Sequence, residues 1–284
     1  MPYADIPAQG PRRFYYEDTG GSGPVIVFSH GFMMDHTMFA AQIAALQSDY
    51  RCITWDQRGH GLTATNRLSP FDFYDSADDL SDLLAYLKLP PAVLVGMSQG
   101  GFLTLRTALT NPDAVAALIL IDTEAGVMPG NEIQGNDQLL GMWIANGFSQ
   151  QLGGVIAGQI IGPGDGQPLW PGAQAWIDKW GQDQLVNLIP SFEALTHRQD
   201  VSSLVGAIKQ PALVIHGSED QSIAPAAGQA LAKGLGGAAN GIVQFELIQG
   251  AGHASNLTHP DQVNPLIEAF LTSLALLPAP PTSP

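Results

Sequence analysis

The sequence predicts an α/β fold: a mostly parallel sheet with helices on both faces and one helical insertion. Three observations predict it. Short β-branched apolar runs alternate with helical segments of ten to fifteen residues from residue 13 to 124, and again from 204 to about 275. The rhythm breaks over 125–203, where no strong strand pattern occurs. The 284 residues are 45% hydrophobic and only 13% charged, enough apolar surface to build a core and too much for a disordered chain.

Taken in order, Val25 to Ser29 (VIVFS) is a β-branched apolar run and reads as a buried strand. His36 to Leu46 has helical composition, and Tyr50 to Trp55 reads as the next strand. Leu80, Leu83, Leu84 and Leu87 recur at helical spacing behind acids that begin at Asp75, near the positive end of the helix dipole. The acids from Asp72 to Asp82 are read as the solvated face opposite those leucines. Ala92 to Gly96 is a strand, Gly100 to Leu109 a helix and Val115 to Ile121 a strand. Helical pieces are expected at 135–147 and 172–188, among glycine runs and four of the five tryptophans (Trp143, Trp170, Trp176, Trp180). Ala212 to His216, Ala224 to Leu235 and Val243 to Ile248 resume the strand–helix–strand rhythm. A last helix carries Val263, Leu266, Ile267, Phe270, Leu271 and Leu274, with Pro265 expected in its first turn, where the missing N–H is no loss. The domain expectation is a core of 1–124 with 204–276, a helical cap at 125–203, and a flexible proline-rich tail at 277–284.

Composition excludes several partners. A formal net charge of −15 repels phosphate backbones and anionic headgroups, so neither nucleic acid nor a membrane is expected. No run approaches the length of a spanning helix, and the first residues lack the apolar stretch of a signal peptide. Cys52 is alone and lies in a strand-like run, so it reads as a buried structural thiol. A cytoplasmic protein follows as the expectation.

The chemistry centres on Gly96-Met97-Ser98-Gln99-Gly100, a G-x-S-x-G segment with a strand before it and a helix after it. That placement makes a sharp elbow in which the two glycines relieve crowding and the serine hydroxyl stands clear at a helix N-terminus. A serine nucleophile needs a base and a group to hold that base. Of seven histidines, His253 follows the last strand directly, while His259 reads as a surface or capping residue, His216 as a structural strand end and His197 as surface. For the acid, Asp220 follows the strand ending at His216 and is preferred to Glu219 because its shorter side chain suits a fixed turn; Asp122 also ends a strand and remains a competitor. No H-E-x-x-H, cysteine pair or phosphate-loop lysine occurs, so no metal or cofactor is expected.

Together with Ser29-His30-Gly31-Phe32, Asp56-Gln57-Arg58-Gly59-His60-Gly61, Gly217-Ser218-Glu219-Asp220 and Gly252-His253, the elbow makes the chain resemble the α/β-hydrolase family over 13–124 and 204–275. The resemblance implies the hydrolase-type sheet, a Ser98–His253–Asp220 triad and an oxyanion hole made by the backbone N–H groups of Phe32 and Gln99. It also implies that His30 is structural and that Arg58 is ion-paired. Serine at position 98 separates the chain from similar folds that use aspartate there. The implied activity is hydrolysis of a carboxylic ester or lactone through an acyl-enzyme, with enol-lactonase, perhydrolase or carbon–carbon bond hydrolase as alternatives on the same fold. A receptor-like binding protein with little turnover is the alternative from another class. Met33, Met97, Trp143, Trp176 and Trp180 are candidate pocket residues; the tryptophans equally suit a small core within the cap. Residues 125–203 hold seven acids but only Lys179 and Arg198 as bases, which favours a small, neutral, fairly apolar substrate.

Overall fold

The computed structural model describes residues 3–6, 12–63, 69–162, 168–182, 185–237 and 242–275. The tail expected at 277–284 lies outside them, as does the core boundary expected at 276. Eight strands form one sheet: β1 (Tyr3–Ile6), β2 (Arg12–Asp18), β3 (Val25–Ser29), β4 (Arg51–Trp55), β5 (Ala92–Met97), β6 (Val115–Ile121), β7 (Ala212–Gly217) and β8 (Val243–Ile248). Their spatial order is β1-β2-β4-β3-β5-β6-β7-β8; the β1–β2 and β2–β4 pairs are antiparallel and the other pairs parallel.

The central parallel strands β3, β5, β6 and β7 are buried on both faces, which explains their continuous apolar composition. Ile26, Phe28, Val93, Val95 and Ile119 point to one layer, with α1 (Ala40–Leu46) and α10 (Pro260–Ser273). Val27, Leu94, Leu118 and Val214 point to the other, with α2 (Phe73–Tyr86), α3 (Gln99–Thr110) and α8 (Pro225–Gly234). Cys52 is buried in the first layer, and desolvation pushes its thiol up to about 12, so it is inert.

Two readings of the core need correction. The acids of α2 are not all solvated. Asp72 caps the helix by accepting the N–H groups of Tyr74 and Asp75, and Asp79 is fully buried, pairing with Arg12 and Arg58. Asp79 lies one helical turn before Leu83 and shares its buried side, a place where a periodicity argument expects no acid. Pro265 also lies in the interior of α10; Pro260 takes the first helical position and a short helix, α9 (Ser255–Thr258), precedes it.

The insertion between β6 and β7 contains α4 (Gly130–Asn146), α5 (Gln150–Ile160), α6 (Ala173–Trp180) and α7 (Leu185–Thr196). The helix expected at 172–188 is therefore two, and α5 was not expected, because its glycines are weak helix formers. One of those glycines, Gly153, has a use in packing. A Cβ at Gly153 would come within 2.6 Å of Ile177, so its absence lets α5 lie close against α6. Among the described residues no helix is long and apolar enough to cross a membrane.

Candidate active site

Ser98 stands between β5 and α3 with φ 49° and ψ −116°, a strained conformation for a residue with a side chain. The neighbouring glycines make this turn possible. A Cβ at Gly100 would lie 1.9 Å from the Ser29 carbonyl oxygen, and one at Gly96 would lie 2.4 Å from the Gly100 oxygen. The Ser98 N–H donates to Ile121 at 2.9 Å, while its carbonyl accepts from Gly101 at 2.8 Å and from the Thr123 hydroxyl at 2.9 Å. The backbone is thus fixed on every side while the hydroxyl faces a cavity.

The turn after β3 brings Phe32 to the same place. His30, fully buried, accepts the Gln57 N–H on Nε2 at 3.0 Å, which leaves Nδ1 to donate to the Gly31 carbonyl at 2.8 Å. That pairing fixes one neutral tautomer, and burial lowers the imidazole below its usual range in agreement. Gln57 also bonds the His30 carbonyl and the Gln99 side chain, at 2.5 and 3.0 Å, tying the turn to the elbow. Of the two residues expected to supply backbone donors, Phe32 follows the held Gly31 carbonyl and lines the same cavity as Ser98, and Gln99 follows Ser98 directly with its side chain in this network. Arg58 pairs with Asp79 at 2.5 Å, holding the Asp56–Gly61 segment from behind.

His253 lies beyond β8. Its Nε2 is 2.8 Å from the Ser98 hydroxyl and its Nδ1 is 2.8 Å from Asp220 Oδ2. Asp220 Oδ1 accepts the N–H groups of Ser222 and Ile223 at 2.8 and 3.0 Å. Oδ2 has a second neighbour that sequence reasoning missed: His216 Nε2 at 3.1 Å, which also lies 2.8 Å from the Ile223 carbonyl. Its signal was its place four residues before the acid at a strand end. Burial works to raise the Asp220 carboxyl, but His253 and His216 outweigh it and hold it well below the usual carboxylate range. Burial likewise works to lower His253, and the Asp220 charge and hydrogen bond reverse the sign, so the imidazole sits above its ordinary value.

Asp122, the competing acid, is close but differently employed. Its oxygens accept the N–H groups of Gly217 and Ser255, each at 2.8 Å, joining the end of β7 to the start of α9. Burial and the nearby Asp220 push its carboxyl up to about 6. Among the described residues two groups of three ligand-type side chains converge, Asp35–His36–Asp56 and Asp122–His216–Asp220. Their oxygens are already occupied: Asp35 by Lys179 and Thr37, Asp56 by His36 and the Leu62 N–H, and the second set as described.

The cavity over Ser98 measures about 220 Å³ and is walled by both the core and the insertion. Met33, Met97 and Trp143 line it, along with Phe192, Leu139 and Ile156. Trp176 and Trp180, expected as pocket residues, are not on its wall. They are buried in the hydrophobic layer that the insertion shares with the core, where Trp176 lies under the Lys179 ammonium and the Trp180 indole donates to the Met33 carbonyl. Arg198 reaches the pocket with its charge already engaged. It donates to Glu124 at 2.5 Å and to the carbonyls of Gly126 and Leu195. Lys179, the other base of the insertion, pairs with Asp35. His197 is exposed, and His259 stands at the N-cap position of α10 without a side-chain capping bond, its ring paired with the Thr258 hydroxyl.

Comparison with known proteins agrees with this geometry. Residues 26–266 match the model of the alpha/beta hydrolase family. A Synechocystis protein named "Putative non-heme chloroperoxidase" is 30% identical, over 95% of this chain and 100% of its own. The pimeloyl-[acyl-carrier protein] methyl ester esterase of Chromobacterium violaceum is 29% identical over 90% of this chain and 98% of its own. Among solved structures, a thermophilic esterase from Thermogutta terrifontis superposes with a TM-score of 0.82 at 25% identity, covering 96% of this chain and 98% of the other.

Proposed function

The chain belongs to the alpha/beta hydrolase family, and from that premise we propose that it is a serine hydrolase cleaving small, neutral, fairly apolar carboxylic esters or lactones. One observation carries the reading: the unbroken chain of 2.8 Å contacts from Ser98 through His253 to Asp220 on the floor of an apolar cavity. Ester cleavage as the class is supported by the esterases among its relatives.

The mechanism follows from the geometry. Ser98 attacks the carbonyl carbon as His253 Nε2 takes its proton, and Asp220 stabilises the imidazolium through Nδ1. The tetrahedral oxyanion is met by the N–H groups of Phe32 and Gln99, whose positions the His30–Gln57–Gln99 network holds. His253 then protonates the leaving alcohol, leaving an acyl group on Ser98. A water molecule, deprotonated by His253, releases the acid and restores the serine. No metal or cofactor takes part in this scheme.

The insertion at 125–203 acts as a cap that supplies the upper pocket wall. Its two cations are both spent in ion pairs, which leaves no free positive group to hold a substrate carboxylate. The similarity to the chloroperoxidase-named protein favours a second reading of the same acyl-enzyme, in which hydrogen peroxide replaces water and a peracid leaves. The test is turnover of matched neutral and anionic esters and lactones by the wild type and Ser98→Ala. Full activity of a folded Ser98→Ala protein would sink the reading, and peracid formation with added peroxide would separate the second from the first.

A further inference from the structure

We propose that Trp180 is a positioning residue for the oxyanion turn, its indole N–H clamping the Met33 carbonyl so that the insertion sets the aim of the Phe32 amide; the inference rests on the roles proposed above.

The turn from Gly31 to Met34 is closed by the Met34 N–H on the Gly31 carbonyl at 3.1 Å, and it holds Met33 at φ 60°. That region is left by preference to glycine, so contacts from outside the turn must hold a methionine there. From the core side, His30 Nδ1 holds the Gly31 carbonyl at 2.8 Å. From the insertion side, Trp180 Nε1 lies 2.6 Å from the Met33 carbonyl, and the indole is fully buried. The Phe32 amide therefore lies between two fixed carbonyls, one held by each part of the molecule. The adjoining Lys179 pairs with Asp35 and reaches the Thr37 hydroxyl at 3.3 Å, so consecutive residues of α6 grip the same loop. Trp180 itself lines no part of the cavity, so it acts through the turn and not by touching substrate. Displacing an oxyanion donor by a fraction of an ångström weakens binding of the transition state more than binding of the ground state.

The experiment replaces Trp180 with β-(3-benzothienyl)alanine, which keeps the two-ring shape and removes only the N–H; Trp180→Phe is the encoded companion and Lys179→Met the outer control. kcat and KM are measured on a neutral ester, with the affinity for a trifluoromethyl ketone, whose adduct on Ser98 carries the oxyanion, and the melting temperature. The expected result is a kcat lower by roughly ten- to a hundredfold. KM stays within about twofold, and trifluoromethyl ketone affinity falls by the same factor as kcat. Lys179→Met changes kcat by less than about threefold, since the indole bond remains. Wild-type kcat in the benzothienyl protein overturns the proposal. So does a lowered melting temperature with kcat and KM changing together, which would make the bond structural only. Ser98→Ala run in parallel keeps the two ideas apart: activity there sinks the serine mechanism, whereas an inactive Ser98→Ala beside an unaffected Trp180 variant sinks the clamp alone.

Discussion

Replacing Asp220 by asparagine discriminates most sharply between the two carboxylates near His253. Asp220 Oδ1 accepts two backbone N–H groups, from Ser222 and Ile223. An asparagine must keep its one oxygen there, which places its NH₂ at the Oδ2 position, facing His253 Nδ1 and His216 Nε2. A donor opposite Nδ1 makes that nitrogen the acceptor and moves the ring proton to Nε2. In that tautomer His253 cannot take the Ser98 proton. The expected loss is about 10⁴-fold in kcat, or about 5.5 kcal/mol, with KM little changed. Asp122→Asn breaks one of two backbone contacts that lie away from the imidazole. It costs about 1–3 kcal/mol of stability and less than about tenfold in kcat. Steady-state kinetics on a neutral ester, with melting temperatures for both variants, read the two losses separately. An Asp220→Asn protein within tenfold of wild type, or an Asp122→Asn protein that stays folded and loses as much, would refute the assignment of the acid.

Three further outcomes follow from other contacts. His253 must be neutral to act as base, and its folded value is raised above 6.5, so kcat/KM falls as pH drops through a midpoint above 6.5; a midpoint below 6.5 in a pH–rate profile would contradict the pairing with Asp220. Asp79→Asn leaves Arg12 and Arg58 without their shared buried charge. It should cost about 3 kcal/mol, or roughly 6–12 °C in melting temperature by calorimetry, and an unchanged Tm would show the network to be dispensable. Glu124→Gln releases the Arg198 charge at the pocket wall, so kcat/KM for an anionic half-ester should rise several-fold relative to its neutral diester. An unaltered ratio would mean that the substrate does not approach Arg198.

The central parallel strands are legible in the sequence because they are buried on both faces and so read as unbroken apolar runs, and Val115–Ile121 coincides with the expected strand residue for residue; Val243–Ile248, half-buried at the sheet edge, also coincides, its apolar and polar residues alternating. The antiparallel edge is not. β1 and β2 bury little beyond Ala4, Ile6 and Phe14; Asp5, Arg13, Glu17 and Asp18 are exposed, while Arg12 turns inward to Asp79. Ser98, Asp220 and His253 could be picked out because each lies just past a strand's carboxyl end, where short motifs fix the local turn. What escaped were the partners that no motif announces. Asp79 reads as a surface acid until Arg12, from the sheet edge, reaches it. Trp180 reads as a pocket wall until its N–H meets Met33, and His216 reads as a bland strand end until the turn carries Asp220 back to it. Periodicity reports which face a residue takes, but not which distant group waits there.

The most direct test of the account is to treat the protein with an alkyl fluorophosphonate and map the adduct by peptide mass spectrometry. A serine activated by His253 displaces fluoride and retains the phosphonyl group, so the account predicts a single adduct on the peptide containing Ser98, lost in Ser98→Ala and together with esterase activity. An adduct on another residue, or undiminished ester hydrolysis after Ser98 is fully labelled, would contradict it.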